Sequence, residues 1–193
     1  MENIQECAIF YNSLIDKDYI FTLENGIKFK LYFKPSNFYH LMGLHKLNDV
    51  RLLKINSYNK IYKDILSGII SVKTIENSAF YYKIADRVEH FGKITDMLDK
   101  EKSKIIIDFN RELIGGTELI NTKYILYRDI ALYDEEKSGY ANLTIGERQE
   151  KIYPETFFYE KSKRYISEQI LLDVTDIKIK SRKSKKIPSH PMK

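Results

Sequence analysis

Residues 27–47 read IKFKLYFKPSNFYHLMGLHKL, and the hydrophobic period changes once along them. Ile27, Phe29, Leu31 and Phe33 alternate with Lys28, Lys30, Tyr32 and Lys34, which predicts a strand with one buried face and one face displaying three lysines. Beyond Pro35 the apolar residues recur at helical spacing through Phe38, Leu41, Met42 and Leu44, with Ser36 placed as the cap. At 100° per residue those four positions cover roughly 160° of one helix, with His45 near the middle of the arc and His40 at its edge. A titratable ring is therefore expected where the core should be. A histidine in such a place is as often a hydrogen-bonded core residue as a catalyst. Five residues apart on one helix, His40 and His45 diverge by roughly 140°, so they are not expected to share a metal ion.

The charge around this stretch strengthens the catalytic reading. Lys28 to Lys63 holds eight Lys or Arg residues and one acidic residue, Asp49, whereas the whole chain carries a net charge of only +5. Positive potential there attracts phosphate and favours neutral imidazole, the form a general base needs. The alternative is a solvated basic face.

Upstream, Asn25-Gly26 separates two β-prone runs, Tyr19–Leu23 and Ile27–Phe33, and predicts a hairpin. An amphipathic helix is expected before it, over residues 3–15. Downstream, Val50–Ile55 is too short to assign. Ser57 reads as the N-cap of a helix through Ile61, Ile65 and Ile69, and a second helical stretch is expected over Thr74–Leu98 with a break at Gly92. His90 reads as surface or boundary.

From Lys104 the pattern turns to β. KIIIDFN suits an interior strand, RELIGGTELI a loop, and Thr122–Tyr133 the longest β-prone run. One face of that run reads Thr122, Tyr124, Leu126, Arg128, Ile130 and Leu132. Arg128 then lies on a wetter face, is held inward for a reason, or marks a bulge. Gly139–Ile145 and Ile152–Tyr159 read as two further strands, the second placed at an edge by Pro154 and carrying the Thr156 hydroxyl beside Phe158. Lys161, Lys163 and Arg164 form a polar cluster with Tyr165, and Val174–Ile179 reads as a last strand.

At 193 residues and 43% hydrophobic content the chain supports one core, so a single domain is expected over 1–179. Residues 180–193, which are basic and patternless, are expected to be a disordered tail. The chain lacks a long apolar run and a signal-peptide layout, and Cys7 is its only cysteine, which together suggest a cytoplasmic protein without membrane attachment. No Gly-rich phosphate loop, Cys/His metal set or repeat is present, so no cofactor is expected.

The order helix, hairpin, FYHLMGLHKL helix, helical middle, then strands with YPETFFYE resembles the phage-barnase/EndoU/colicin/RelE-like nuclease group, specifically its fourth family, over residues 18–170. The resemblance implies an α+β fold, with the helical N-terminal and middle part packed on a curved antiparallel sheet built mainly from the C-terminal half. It also implies RNA cleavage without metal by attack of the 2′-hydroxyl on the adjacent phosphate. That chemistry needs a base, an acid and donors around the developing charge. His40 or His45 then moves the proton, Arg128 supplies charge, and Thr156 donates to a nonbridging oxygen. Tyr124 stacks a base, and Lys46, Lys161 and Arg164 position the backbone. One departure is that no glutamate matches the barnase-type base. RNA is the implied partner, with a protein inhibitor or host protein as a second. The alternative reading is a non-enzymatic RNA- or protein-binding module on the same fold.

Overall fold

The final strand, far from the N-terminus in sequence, is the one that joins the N-terminal hairpin to the rest of the sheet. The computed structural model describes residues 1–130 and 138–182. The predicted Tyr133 strand end lies outside the described residues.

Helix α1 (Ile4–Asn12) is capped by Asn3, whose side chain accepts the N–H groups of Gln5 and Glu6. Strands β1 (Lys17–Leu23) and β2 (Lys28–Tyr32) form the predicted hairpin, turning at Gly26 with φ +84°. Helix α2 (Asn37–Leu41), a 3-10 turn at Leu44–Lys46, α3 (Leu52–Ile55) and α4 (Tyr58–Leu66) follow. Ser57 caps α4 as predicted, accepting the Lys60 N–H at 3.4 Å. Ser36 does not cap α2 with its side chain; instead the Asn37 side-chain Oδ1 accepts the Lys34 N–H at 2.9 Å.

The helix expected over Thr74–Leu98 is broken into α5 (Val72–Glu76), α6 (Ala85–His90) and α7 (Ile94–Met97), joined through 3-10 turns. The first break has a cause in Asp49. Its carboxylate accepts Ser78 Oγ at 2.5 Å and the Ala79 N–H at 2.8 Å, which turns the chain out of α5. His90 is not on the surface: it is 9% exposed and stacks on Tyr159, because α6 lies against the sheet.

Strands β3 (Lys104–Ile107), β4 (Thr122–Ile130), β5 (Gly139–Arg148), β6 (Lys151–Glu160) and β7 (Ile170–Ser181) complete one seven-stranded sheet of order β2-β1-β7-β3-β4-β5-β6. Every neighbouring pair is antiparallel. The first part of β7 pairs with β3 and the second with β1. Pairing continues to Ser181, and the Arg182 N–H donates to the Asp16 carbonyl, so the ordered chain extends past the boundary expected at 180. Residues 183–193, with His190, lie outside the described residues.

The sheet curls, and aromatic stacking records the curvature. Phe29 of β2 stacks on Phe21 at 4.8 Å and on Tyr124 of β4 at 4.7 Å, although β2 and β4 are not neighbours in the sheet. The helices pack into the concave face around Tyr11, Phe38, Phe91 and Phe157. A second cluster, with Ile106, Phe109, Ile114, Ile125, Tyr127 and Ile166, covers the other face, which is why the KIII run is apolar on both sides. The fold is thus α+β, with the helical part on a curved antiparallel sheet drawn mostly from the C-terminal half. No helix among the described residues is long and apolar enough to cross a membrane.

Candidate active site

Gly43 decides where the two histidines go. It sits at φ +67°, in the left-handed region, and ends the helix that the sequence pattern continues to Leu47. The chain restarts in a 3-10 turn, so His45 leaves the apolar arc. Both imidazoles reach solvent on the same side, with ring centroids 5.9 Å apart rather than diverging around one helix. Tyr39 and Tyr58, stacked at 4.2 Å, support them: the His40 ring meets Tyr58 edge-on at 4.9 Å.

A cleft of about 510 Å³ opens in front of these rings. His40, His45 and Lys46 form one wall, β6 the opposite wall with Glu155, Thr156 and Phe158, and the 116–119 loop and Tyr165 the rim. Arg87 of α6 lies at the base and was not anticipated. It is 7% exposed, and no carboxylate among the described residues pairs with it. Its Nη1 donates to Thr156 Oγ1 at 2.8 Å and to the Leu41 carbonyl at 3.0 Å. Nε and Nη2 have no hydrogen-bond partner among the described residues. Burial lowers its pKa to about 10, so it remains a cation at neutral pH. A buried guanidinium lacking an acid is costly unless an anion completes it.

Gly43 also gives Arg87 its room, because a Cβ there would stand 3.1 Å from the guanidinium carbon and from Nε. Thr156 is held by its partner strand. Its N–H donates to Thr144 Oγ1 at 3.1 Å, and Thr144 Oγ1 donates to its carbonyl at 3.3 Å. The register shifts beside this pair, leaving Glu155 as an extra residue on β6. Glu155 accepts from Thr122 Oγ1 at 2.6 Å and faces the cleft.

The electrostatics follow from this arrangement. Each imidazole keeps an open edge but is enclosed enough that burial lowers its pKa. His45 is pushed down to about 4, first by burial and then by the charges of Arg87, His40 and Lys46. His40 is also lowered by burial, and nearby Glu155 acts in the opposite direction. Lys46 is lowered by burial and by Arg87. Neutral imidazoles beside a fixed cation are suited to taking a proton near a bound phosphate.

Of the residues singled out from sequence, His40, His45, Lys46 and Thr156 line one cleft. Arg128 does not converge with them: its Nη1 donates to the Lys102 carbonyl at 3.3 Å and its Nε lies 4.0 Å from Asp96, so α7 and the following turn engage it elsewhere. The position assigned to Arg128 is occupied by Arg87. Tyr124 is buried under Phe29 and does not face the cleft, so it is not free to stack a base there. Arg164 does not line the cleft but lies behind its rim, donating to the Gly115 carbonyl with its guanidinium 5.5 Å from the Tyr165 ring centroid. Lys161 is exposed beyond β6 and does not line the cleft. Phe158 and Tyr165, 4.8 Å apart edge-to-face, provide the aromatic surface instead. Ile84 and Phe91 flank Arg87 at helical spacing, but within the charged run ADRVEH that pattern is too short to mark a buried face. Among the described residues no group of three His, Cys, Asp or Glu side chains is placed to hold a metal ion.

Comparison with curated proteins and with solved structures gave no match. A family comparison did, along almost the whole chain. With residues 3–190 matched, the chain belongs to the phage-Barnase-EndoU-ColicinE5/D-RelE like nuclease 4 family.

Proposed function

We propose that this nuclease is an endoribonuclease that needs no metal ion and cleaves through the RNA strand's own 2′-hydroxyl. The observation that carries the reading is the buried Arg87, with no carboxylate partner among the described residues, bonded to Thr156 opposite two imidazoles whose pKa values burial lowers. His45, held neutral by its cationic surroundings, takes the 2′-hydroxyl proton as that oxygen forms its bond to phosphorus. The phosphorus–O5′ bond breaks, and His40, in the protonated form that the Glu155 carboxylate favours, delivers a proton to the departing oxygen. The products are a 2′,3′-cyclic phosphate and a free 5′-hydroxyl. Arg87 Nε and Nη2 and the Thr156 hydroxyl hydrogen face the nonbridging oxygens, where charge grows in the transition state. Thr156 already accepts from Arg87, which leaves its own hydrogen for substrate. Lys46 adds positive potential, and Phe158 and Tyr165 offer a base an aromatic surface.

Incubation of purified protein with total RNA in excess chelator tests this. Fragments ending in cyclic phosphate are expected, and His45→Ala and His40→Ala should each lower the rate by about 10²–10⁴ while folding and RNA binding persist. Undiminished cleavage in both variants would remove the histidine mechanism. Salt-sensitive RNA binding with no turnover would instead favour the non-enzymatic binding module.

A further inference from the structure

Edge strand β6 and the chain running from β2 into α2 lie side by side, and the seam between them continues beyond the cleft. A groove lined by Tyr32, Lys34 and Asn37 on one side and Arg148, Lys151 and Tyr153 on the other lies along the same two elements as the cleft. Asn37 is one helical turn from His40, and Tyr153 is two residues from Glu155. Tyr32, Lys34 and Lys151 also line the next cavity along, which reaches Lys28, Lys30 and Arg182 at the mouth of the curled sheet. From Lys151 to Glu155 the strand rises about 13 Å, so the seam extends well past a single scissile linkage.

The seam is strongly cationic. Seven Lys or Arg residues line its two cavities against Glu147 and Glu150; Lys123 pairs with Glu147 at 2.6 Å, and Lys30 and Arg182 lie against Asp18. Lys28, Lys34, Arg148 and Lys151 have no ion-pair partner among the described residues and are exposed. The Tyr32 ring is covered by cations, with Lys34 at 4.9 Å and Arg182 at 4.3 Å from its centroid. It therefore helps to fix charge in place.

Resting on the ribonuclease reading for the strand's destination, we infer that this seam is a subsite for the sugar–phosphate backbone of single-stranded RNA, carrying the segment that flanks the cut linkage without reading its sequence. Its contribution is electrostatic, through release of counterions from the phosphates.

Equilibrium binding of a labelled, uncleavable oligothymidylate of about 16 nucleotides tests the seam separately from catalysis. The triple variant K34Q/R148Q/K151Q should lower the slope of log affinity against log salt by about 2, at roughly 0.7 per single-strand phosphate contact. The control K63Q/K73Q/K104Q has the same net charge but removes exposed lysines elsewhere, and it should keep the wild-type slope. Circular dichroism confirms that both variants are folded. Equal slopes in the two variants, or no change in either, would overturn the proposal and leave the basic seam to an acidic protein surface. A protein that cuts RNA without the slope difference loses only the seam. One that shows the difference but never cuts loses only the ribonuclease reading.

Discussion

Replacing Gly43 with alanine should damage the site through two separable effects. The backbone at φ +67° is left-handed, and an L-residue there costs about 1–2 kcal/mol. The new Cβ would also stand 3.1 Å from the Arg87 guanidinium carbon and Nε, which forces that group to withdraw. Withdrawal strains or breaks the 2.8 Å bond to Thr156, one of the charge-assisted kind worth about 1.5–3 kcal/mol. Urea unfolding should show the strain, and RNA cleavage should fall by about 10²–10³, the loss typical of a displaced transition-state donor. The two effects separate in an Arg87→Met background. There Gly43→Ala should still lower stability but should reduce cleavage no further. A Gly43→Ala protein that is less stable yet fully active would refute the reasoning, because the position of Arg87 would then not matter to the chemistry.

The pH dependence follows from two depressed imidazoles. The base must be neutral, so kcat/KM should rise with pH through about 4 as His45 loses its proton. The acid must be protonated, so kcat/KM should fall again as His40 titrates below its usual 6.5. A pH series with a dinucleotide substrate checks both limbs, and a plateau extending past pH 8 would contradict the roles. Thr156→Val removes the Arg87 acceptor and the substrate donor together and should lower cleavage about 10²-fold, whereas Thr156→Ser should retain most of it; comparable rates in the two would count against the hydroxyl. Ser57→Ala should cost about 1 kcal/mol in denaturant unfolding, by loss of the α4 cap, without affecting catalysis.

Local signals carried much of the architecture. Asn25-Gly26 placed the hairpin, Ser57 the start of α4, and Pro154 the edge strand, because each acts through its own backbone. The central position of β7 had no such signal, since it arises from pairing between the two ends of the chain. At the site, periodicity marked His40, His45 and Thr156 as polar groups near apolar faces, but one glycine in the left-handed region altered the geometry that periodicity assumed. Arg128 was legible as an arginine on an apolar face, yet Asp96 and the Lys102 carbonyl account for it. Arg87 sits within ADRVEH, which reads as an ordinary charged helix surface until tertiary packing buries it.

The most direct test of the central claim is cleavage of a short RNA and of the same RNA lacking one 2′-hydroxyl, next to the mapped cut. The account predicts that the substituted linkage survives while others are cut, since the nucleophile itself has been removed. Cleavage of that linkage at the unmodified rate would contradict the account and assign the attack to another nucleophile.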